Sequence, residues 1–247
     1  DASSTITTLT INDGANVTNG ITNNSNIGSL DLQNNTTYSG TGSITNALDI
    51  AGSKTLNANT NGINILFANG ATGTIDNAGI ISGNLNNQNG STIKTFNTGS
   101  ISGSIANNAT IQELNVTGNV TNGITNNSNI AKLNVNSNVS YSGDNGNISQ
   151  ELVINQGSGQ TTTFTIQGTN QTLTLGGTGN GGVKTITNEG TIIGNLINTL
   201  STDWIGGTLE GNFTNNSGAI LQSLSNGTIT GNLINAGSIV SLTQGTI

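Results

Sequence analysis

Asn16 to Ile27 reads NVTNGITNNSNI, and the same twelve residues return unchanged at Asn119 to Ile130, an offset of 103 residues. The offset also carries Leu30 and Leu32 onto Leu133 and Val135, and Tyr38-Ser39-Gly40 onto Tyr141-Ser142-Gly143. Identity followed by apolar matches in register marks an internal duplication. An internal repeat directs the reading to a solenoid before any other architecture.

A shorter unit runs inside the long one. Ile81-Leu85-Ile93-Phe96, Ile101-Ile105-Ile111-Leu114, Val120-Ile124-Ile130-Leu133, Leu209-Phe213-Ile220-Leu224 and Ile229-Leu233-Ile239-Leu242 repeat one apolar spacing. Adjacent copies start at Ile81, Ile101 and Val120, and again at Leu209 and Ile229. Ile192-Leu196 begins another copy, which reaches Leu209 after a slightly shorter step. Asn-Gly, Asn-Asn, Asn-Ala-Gly and Asn-Ser-Gly separate the apolar pairs, so the natural element is a short strand closed by a turn. Helical spacing is rare, and Gly or Asn interrupts nearly every stretch that could form a helical turn. One such coil cannot bury its apolar side alone, whereas parallel stacking of equivalent coils joins the Ile, Leu and Val positions into a continuous core. The expected fold is all-β: a single-stranded parallel β-helix of about 11 to 12 coils, right-handed by the usual crossover preference. It is expected as one elongated domain over residues 1–247, with residues 16–38 matching 119–141. The spacing is irregular over 42–80 and 141–182. There Thr161 to Ile166 and Gln171 to Leu175 still read as strands, and Gly176 to Gly182 reads as an exposed turn. That run lacks the Gly-Lys-Ser or Gly-Lys-Thr ending of a phosphate loop and the helix that follows it.

Composition agrees once the repeat is seen. Gly, Asn and Thr fill 121 of 247 positions, against an apolar share of 31 %, a balance that without periodicity would suggest disorder. Placed once or twice per short strand, that apolar share fills a narrow core. The chain has no His, Cys, Met or Pro, and its four basic residues are all Lys. Imidazole bases, thiolate nucleophiles and the common zinc, haem and iron–sulfur ligand sets are therefore excluded. Hard-cation or carboxylate chemistry on a β-helix lyase or hydrolase is the enzyme class left open. A net charge of −7 without a basic cluster argues against nucleic acid or anionic lipid as partner. No apolar run reaches the length of a membrane span, and Asp1-Ala2-Ser3-Ser4 is unlike a signal peptide, so the chain reads as a processed or excised fragment.

Candidate functional positions are few. Asn24, Asn108, Asn127 and Asn216 occupy comparable turns and are candidates for a surface asparagine ladder. The eleven acids lie mostly a coil or more apart, and Asp31 is matched by Asn134 in the long repeat, so no catalytic carboxylate pair is duplicated. Glu113 and Lys132 are placed to form a surface ion pair. The Gly-Gly-x-Gly-x-Asp pattern of calcium-binding coils is missing. Trp204, in an irregular stretch between Leu200 and Leu209, is either an exposed contact for sugar or a partner or a plug at a bend of the helix. Thr-x-Thr pairs such as Thr163-Phe164-Thr165 and Thr172-Leu173-Thr174 are scattered, as ordinary outward threonines on strands are. Glu113-Leu114-Asn115-Val116-Thr117 and Glu210-Gly211-Asn212-Phe213-Thr214 resemble the extended acceptor of a bacterial N-glycosylation system, making Asn115 and Asn212 candidate glycan sites. No metal or cofactor site is expected.

The pattern from Thr228 to Ile239, TITGNLINAGSI, resembles the passenger repeats of bacterial autotransporters. The likeness is to the Gly/Asn-rich adhesin and vacuolating-toxin-like passengers of Helicobacter and Campylobacter relatives, and it is clearest over 75–135 and 183–245. It implies a non-enzymatic shaft displayed on or released from the bacterial surface, with a C-terminal outer-membrane translocator barrel elsewhere in the full protein. Its implied partners are copies of itself on neighbouring cells, or a host receptor or glycan. A passive stalk, a toxin fragment and a carbohydrate-active β-helix enzyme are the alternatives. A serine-protease passenger is excluded because the sequence has no His.

Overall fold

The computed structural model describes residues 5–59, 62–67, 73–143, 146–156, 161–168, 171–176, 184–243 and 245–247. Every regular element among them is a β-strand, and the paired strands are parallel. The chain is a β-solenoid of about 11 turns of roughly 20 residues, as the short repeat predicts. It packs as two compact units, residues 1–125 and 126–247.

In the first unit the strands Thr5–Ile11, Asn26–Leu32, Ser43–Ile50, Thr74–Asn77, Thr92–Asn97 and Thr110–Val116 stack in sequence order. Alternation sends every second side chain inward. Leu9, Leu30, Leu48, Ile75, Phe96 and Leu114 consequently fall into one inward column. Ile63, Leu85 and Ile105 form a second, and Leu56, Ile81 and Ile101 a third within a separate five-stranded sheet. Most of these side chains are fully buried, each contributing about 1.5–3 kcal/mol.

The second unit repeats the plan. Its columns are Leu133, Leu152, Ile186, Trp204, Leu224 and Leu242, then Val139, Phe164, Ile192, Leu209 and Ile229, then Leu173, Leu196, Phe213 and Leu233. The irregular spacing of 141–182 therefore still yields the strands Thr163–Gln167 and Thr172–Leu175. Of the Gly176 to Gly182 run, all but Gly176 lies outside the described residues.

Trp204 is a core residue and not an exposed contact. The segment before Leu209 forms a regular strand, Ser201–Ile205, whose parity turns Thr202 and Trp204 inward and Asp203 and Ile205 outward. The indole is 0 % exposed. It lies 5.4 Å from the Phe213 ring, and its Nε1–H donates to the Gly206 carbonyl at 2.7 Å, which removes the cost of burying a polar group. Tight stacking also explains certain glycines. A Cβ on Gly40, at φ +103°, would stand 2.0 Å from the Asn23 carbonyl oxygen, and one on Gly207, at φ +66°, 2.3 Å from Asn188 Cγ.

Candidate functional site

In four turns asparagine occupies two adjacent places. Asn24, Asn108, Asn127 and Asn216 are all exposed, while the residue before each, Asn23, Asn107, Asn126 and Asn215, is buried. A hydrogen-bonded ladder runs through the buried set and reaches the exposed Asn235. Asn87 Nδ2 donates to Asn107 Oδ1 at 2.6 Å, Asn198 to Asn215 at 2.9 Å and Asn215 to Asn235 at 2.8 Å. The signal is present in sequence as strand parity. Ile21-Thr22-Asn23, Ile105-Ala106-Asn107, Ile124-Thr125-Asn126 and Phe213-Thr214-Asn215 each place Asn two residues after an inward apolar residue, on the same face.

Five of the buried asparagines bond to main-chain groups, while Asn87 Oδ1 is buried without a partner among the described residues. Asn23, Asn126, Asn188, Asn198 and Asn215 donate to the carbonyls of Ser43, Asn147, Thr208, Ile220 and Ser238, each in the following coil. Several also accept from the N–H two residues on in their own turn, as Asn188 does from Gly190 at 3.0 Å and Asn198 from Leu200 at 3.2 Å. An unsatisfied amide in this position would cost about 1–3 kcal/mol, so the interior asparagines are structural clamps. Tyr38 and Tyr141 join the same system, accepting from Asn23 and Asn126 at 2.8 and 2.7 Å. Burial pushes both phenols above their ordinary range, and the asparagine bonds oppose the shift.

Register also orders the outside. In the first unit Thr10, Asp31, Asp49, Asp76, Asn97 and Asn115 form one outward column. Asp31 accepts from Gln33 at 2.6 Å and Asp76 from Asn97 at 3.2 Å. Partial burial, then the charges of Asp31 and Asp76, raise the Asp49 carboxyl above its usual range. Acids isolated by whole coils in sequence are thus neighbours in space. Among the described residues no group of three or more acids converges as a metal site. In the second unit Thr163, Thr191, Thr208 and Thr228 are aligned, and Thr246 bridges to Thr228. This column was hidden because its members come one per coil, and only Thr163 and Thr228 begin a Thr-x-Thr pair while Thr191 and Thr208 do not.

The remaining candidates are placed as follows. Lys132 meets Glu151 at 3.3 Å, and Lys54 meets Asp13 at 2.9 Å, holding that carboxyl below its usual range by hydrogen bond and charge. Both acceptor asparagines are engaged. Asn115 Nδ2 donates to Asn97 Oδ1 at 2.8 Å, and Asn212 Oδ1 accepts from the Asn232 N–H at 2.8 Å. What the arrangement offers chemically is an outer surface of neutral hydroxyl and amide columns with one short acidic stripe. No family model, curated protein or solved structure matches the chain.

Proposed function

We propose that the chain is an adhesive shaft, part of a surface-displayed or secreted bacterial protein of the autotransporter kind, which binds copies of itself or a host glycan or receptor. The observation that supports this reading is the set of outward columns, above all Thr163, Thr191, Thr208 and Thr228. Aligned hydroxyls at the spacing of paired strands, about 4.8 Å, offer many weak contacts that act together when two long surfaces meet. Neutral columns suit this role because they carry no like-charge repulsion between copies.

The test is display of the segment on a non-aggregating bacterial cell. The chain is expected to cause clumping or host-cell attachment, and the triple substitution Thr191→Lys, Thr208→Lys, Thr228→Lys to abolish it at equal surface level. Clumping and attachment no greater than those of undisplayed cells would overturn the proposal and favour a passive stalk.

A further inference from the structure

Four Asn-Gly pairs lie among the described residues: Asn19-Gly20, Asn89-Gly90, Asn122-Gly123 and Asn226-Gly227. Asparagine before glycine is the sequence most open to self-modification, since the following amide nitrogen can reach the side-chain Cγ when no Cβ blocks it. The fold treats the four differently. Gly20 N–H donates to the Val17 carbonyl at 3.1 Å and Gly123 N–H to the Val120 carbonyl at 3.0 Å, so both nitrogens are committed to their turns. Gly227 is buried, and a Cβ there would meet Leu224 at 2.9 Å and Trp204 Nε1 at 3.2 Å. Asn226 itself is held at φ +57°. This crowded backbone has little room to rotate.

Asn89-Gly90 has none of these restraints. Both residues are exposed, nothing lies within 4 Å of a Cβ built on Gly90, and no acceptor takes the Gly90 N–H among the described residues. The turn is closed one residue later, by Ser91 N–H to the Gln88 carbonyl at 3.1 Å. Gly90 stands at φ +84°, the value a type II turn requires at its third residue.

We infer that Asn89 is the chain's site of spontaneous deamidation among these pairs. The Gly90 nitrogen attacks Asn89 Cγ, a C–N bond forms, the Gly90 nitrogen gives up its proton, and the side-chain nitrogen leaves as ammonia. Solvent water then opens the resulting succinimide ring at either carbonyl, giving aspartate or isoaspartate. Each event exchanges an amide for a carboxylate on a chain already at −7. The isoaspartyl product also lengthens the main chain inside the turn that places Ser91. Ser91 is buried, and its hydroxyl accepts the Phe67 N–H at 3.0 Å. Ageing at Asn89 therefore loosens the first unit at a defined point.

The experiment is incubation of the full chain in mildly alkaline buffer, with peptide mapping by mass spectrometry and isoaspartate detection over time. In the folded chain Asn89 is expected to convert at least roughly fivefold faster than Asn19 or Asn122, the factor that one retained turn hydrogen bond represents, with Asn226 also slower than Asn89. In denaturant the four rates should converge, because the fold and not the dipeptide sets the order. The Asn89→Ser chain should lose the isoaspartate signal of the peptide that carries residue 89 and leave the slower signals at Asn19, Asn122 and Asn226 unchanged. Folded rates at Asn19 or Asn122 equal to that at Asn89, or the same ranking in denaturant, would overturn the inference.

Discussion

The two copies of the long repeat agree inside and disagree outside. Asn23 with Tyr38 and Asn126 with Tyr141 make the same bonds at 2.8 and 2.7 Å, and each asparagine reaches a carbonyl of the next coil, Ser43 at 3.3 Å and Asn147 at 3.2 Å. Their surroundings differ. Tyr38 lies between Ile21 and Ala58 in register, while Tyr141 pairs with Ile166 and packs 5.5 Å from the Phe164 ring. On the outer face Asp31 shares an acidic column with Asp49 and Asp76, whereas its counterpart Asn134 leads to Val153, Thr187 and Ile205. A buried polar group must keep its partners, but an outward side chain is answered by water. The interior bonding pattern is therefore common to both copies, and the outer columns are where they differ.

The strongest way to break this comparison is to remove the shared clamp. Asn23→Ala and Asn126→Ala each strand a main-chain N–H and carbonyl, and each should cost about 1–3 kcal/mol in denaturant unfolding. The adjacent exposed substitutions Asn24→Ala and Asn127→Ala should stay within about 0.5 kcal/mol. Equal costs at inner and outer positions would remove the distinction.

A second contrast lies next to the shared segment. Gly28 is matched by Ala131 at the same offset, and both stand at a register shift. A Cβ on Gly28 would come 2.3 Å from the Thr7 carbonyl oxygen, so Gly28→Ala should destabilise by about 1–3 kcal/mol. Ala131→Gly loses only a methyl group and some backbone restriction, and thermal melting should show a loss nearer about 1 kcal/mol.

Tyr38→Phe and Tyr141→Phe should each cost about 0.5–1.5 kcal/mol, the net value of one hydrogen bond, since each asparagine keeps its carbonyl partner. Both phenols have raised values in the folded chain, so the unfolded chain ionises first. Their stabilising effect is complete below the ordinary value of 10.0 and is lost as pH rises above it. Each Phe variant should show a shallower alkaline loss of stability in a pH series of melts.

The smallest effect belongs to the acidic column. Asp49 is raised above 3.8, so the folded state binds its proton first and this contribution to stability grows as pH falls through the raised value toward 3.8. Asp49→Asn removes like charges lying opposite one another and should add under about 1 kcal/mol at neutral pH, while flattening that acid-side gain. Asn134→Asp, facing Val153 and with no acid in its column as far as Ser225, should create no comparable dependence.

Much of this was legible in the residues. Ile81, Leu85, Ile93 and Phe96 and the copies that begin at Ile101 and Val120 are buried as their spacing implies, because inward apolar positions recur once per coil. In the copy from Leu209 the inward residue is Leu221 and not Ile220, and in the copy from Ile229 Leu242 is exposed. Trp204 was ambiguous because an indole serves equally well in a core or on a surface, and only the parity of Ser201–Ile205 settles it. The buried asparagines were not singled out beside the exposed ones. Composition makes Asn look like a turn residue everywhere, while the inward set is distinguished by its step of two from the preceding apolar residue.

Repeat length and apolar spacing are local properties, and from them the sequence by itself determined an all-β stacked solenoid with short coils of nearly constant length. Which outward side chains become neighbours depends on the register between strands one coil apart in the chain, and small differences in turn length change that register. Tertiary structure alone therefore decided that Asp31, Asp49 and Asp76 share a column and that Thr163, Thr191, Thr208 and Thr228 share another. It also decided that Asn23 and Asn126 close the interior, because a hydrogen bond between coils exists only after the coils have stacked.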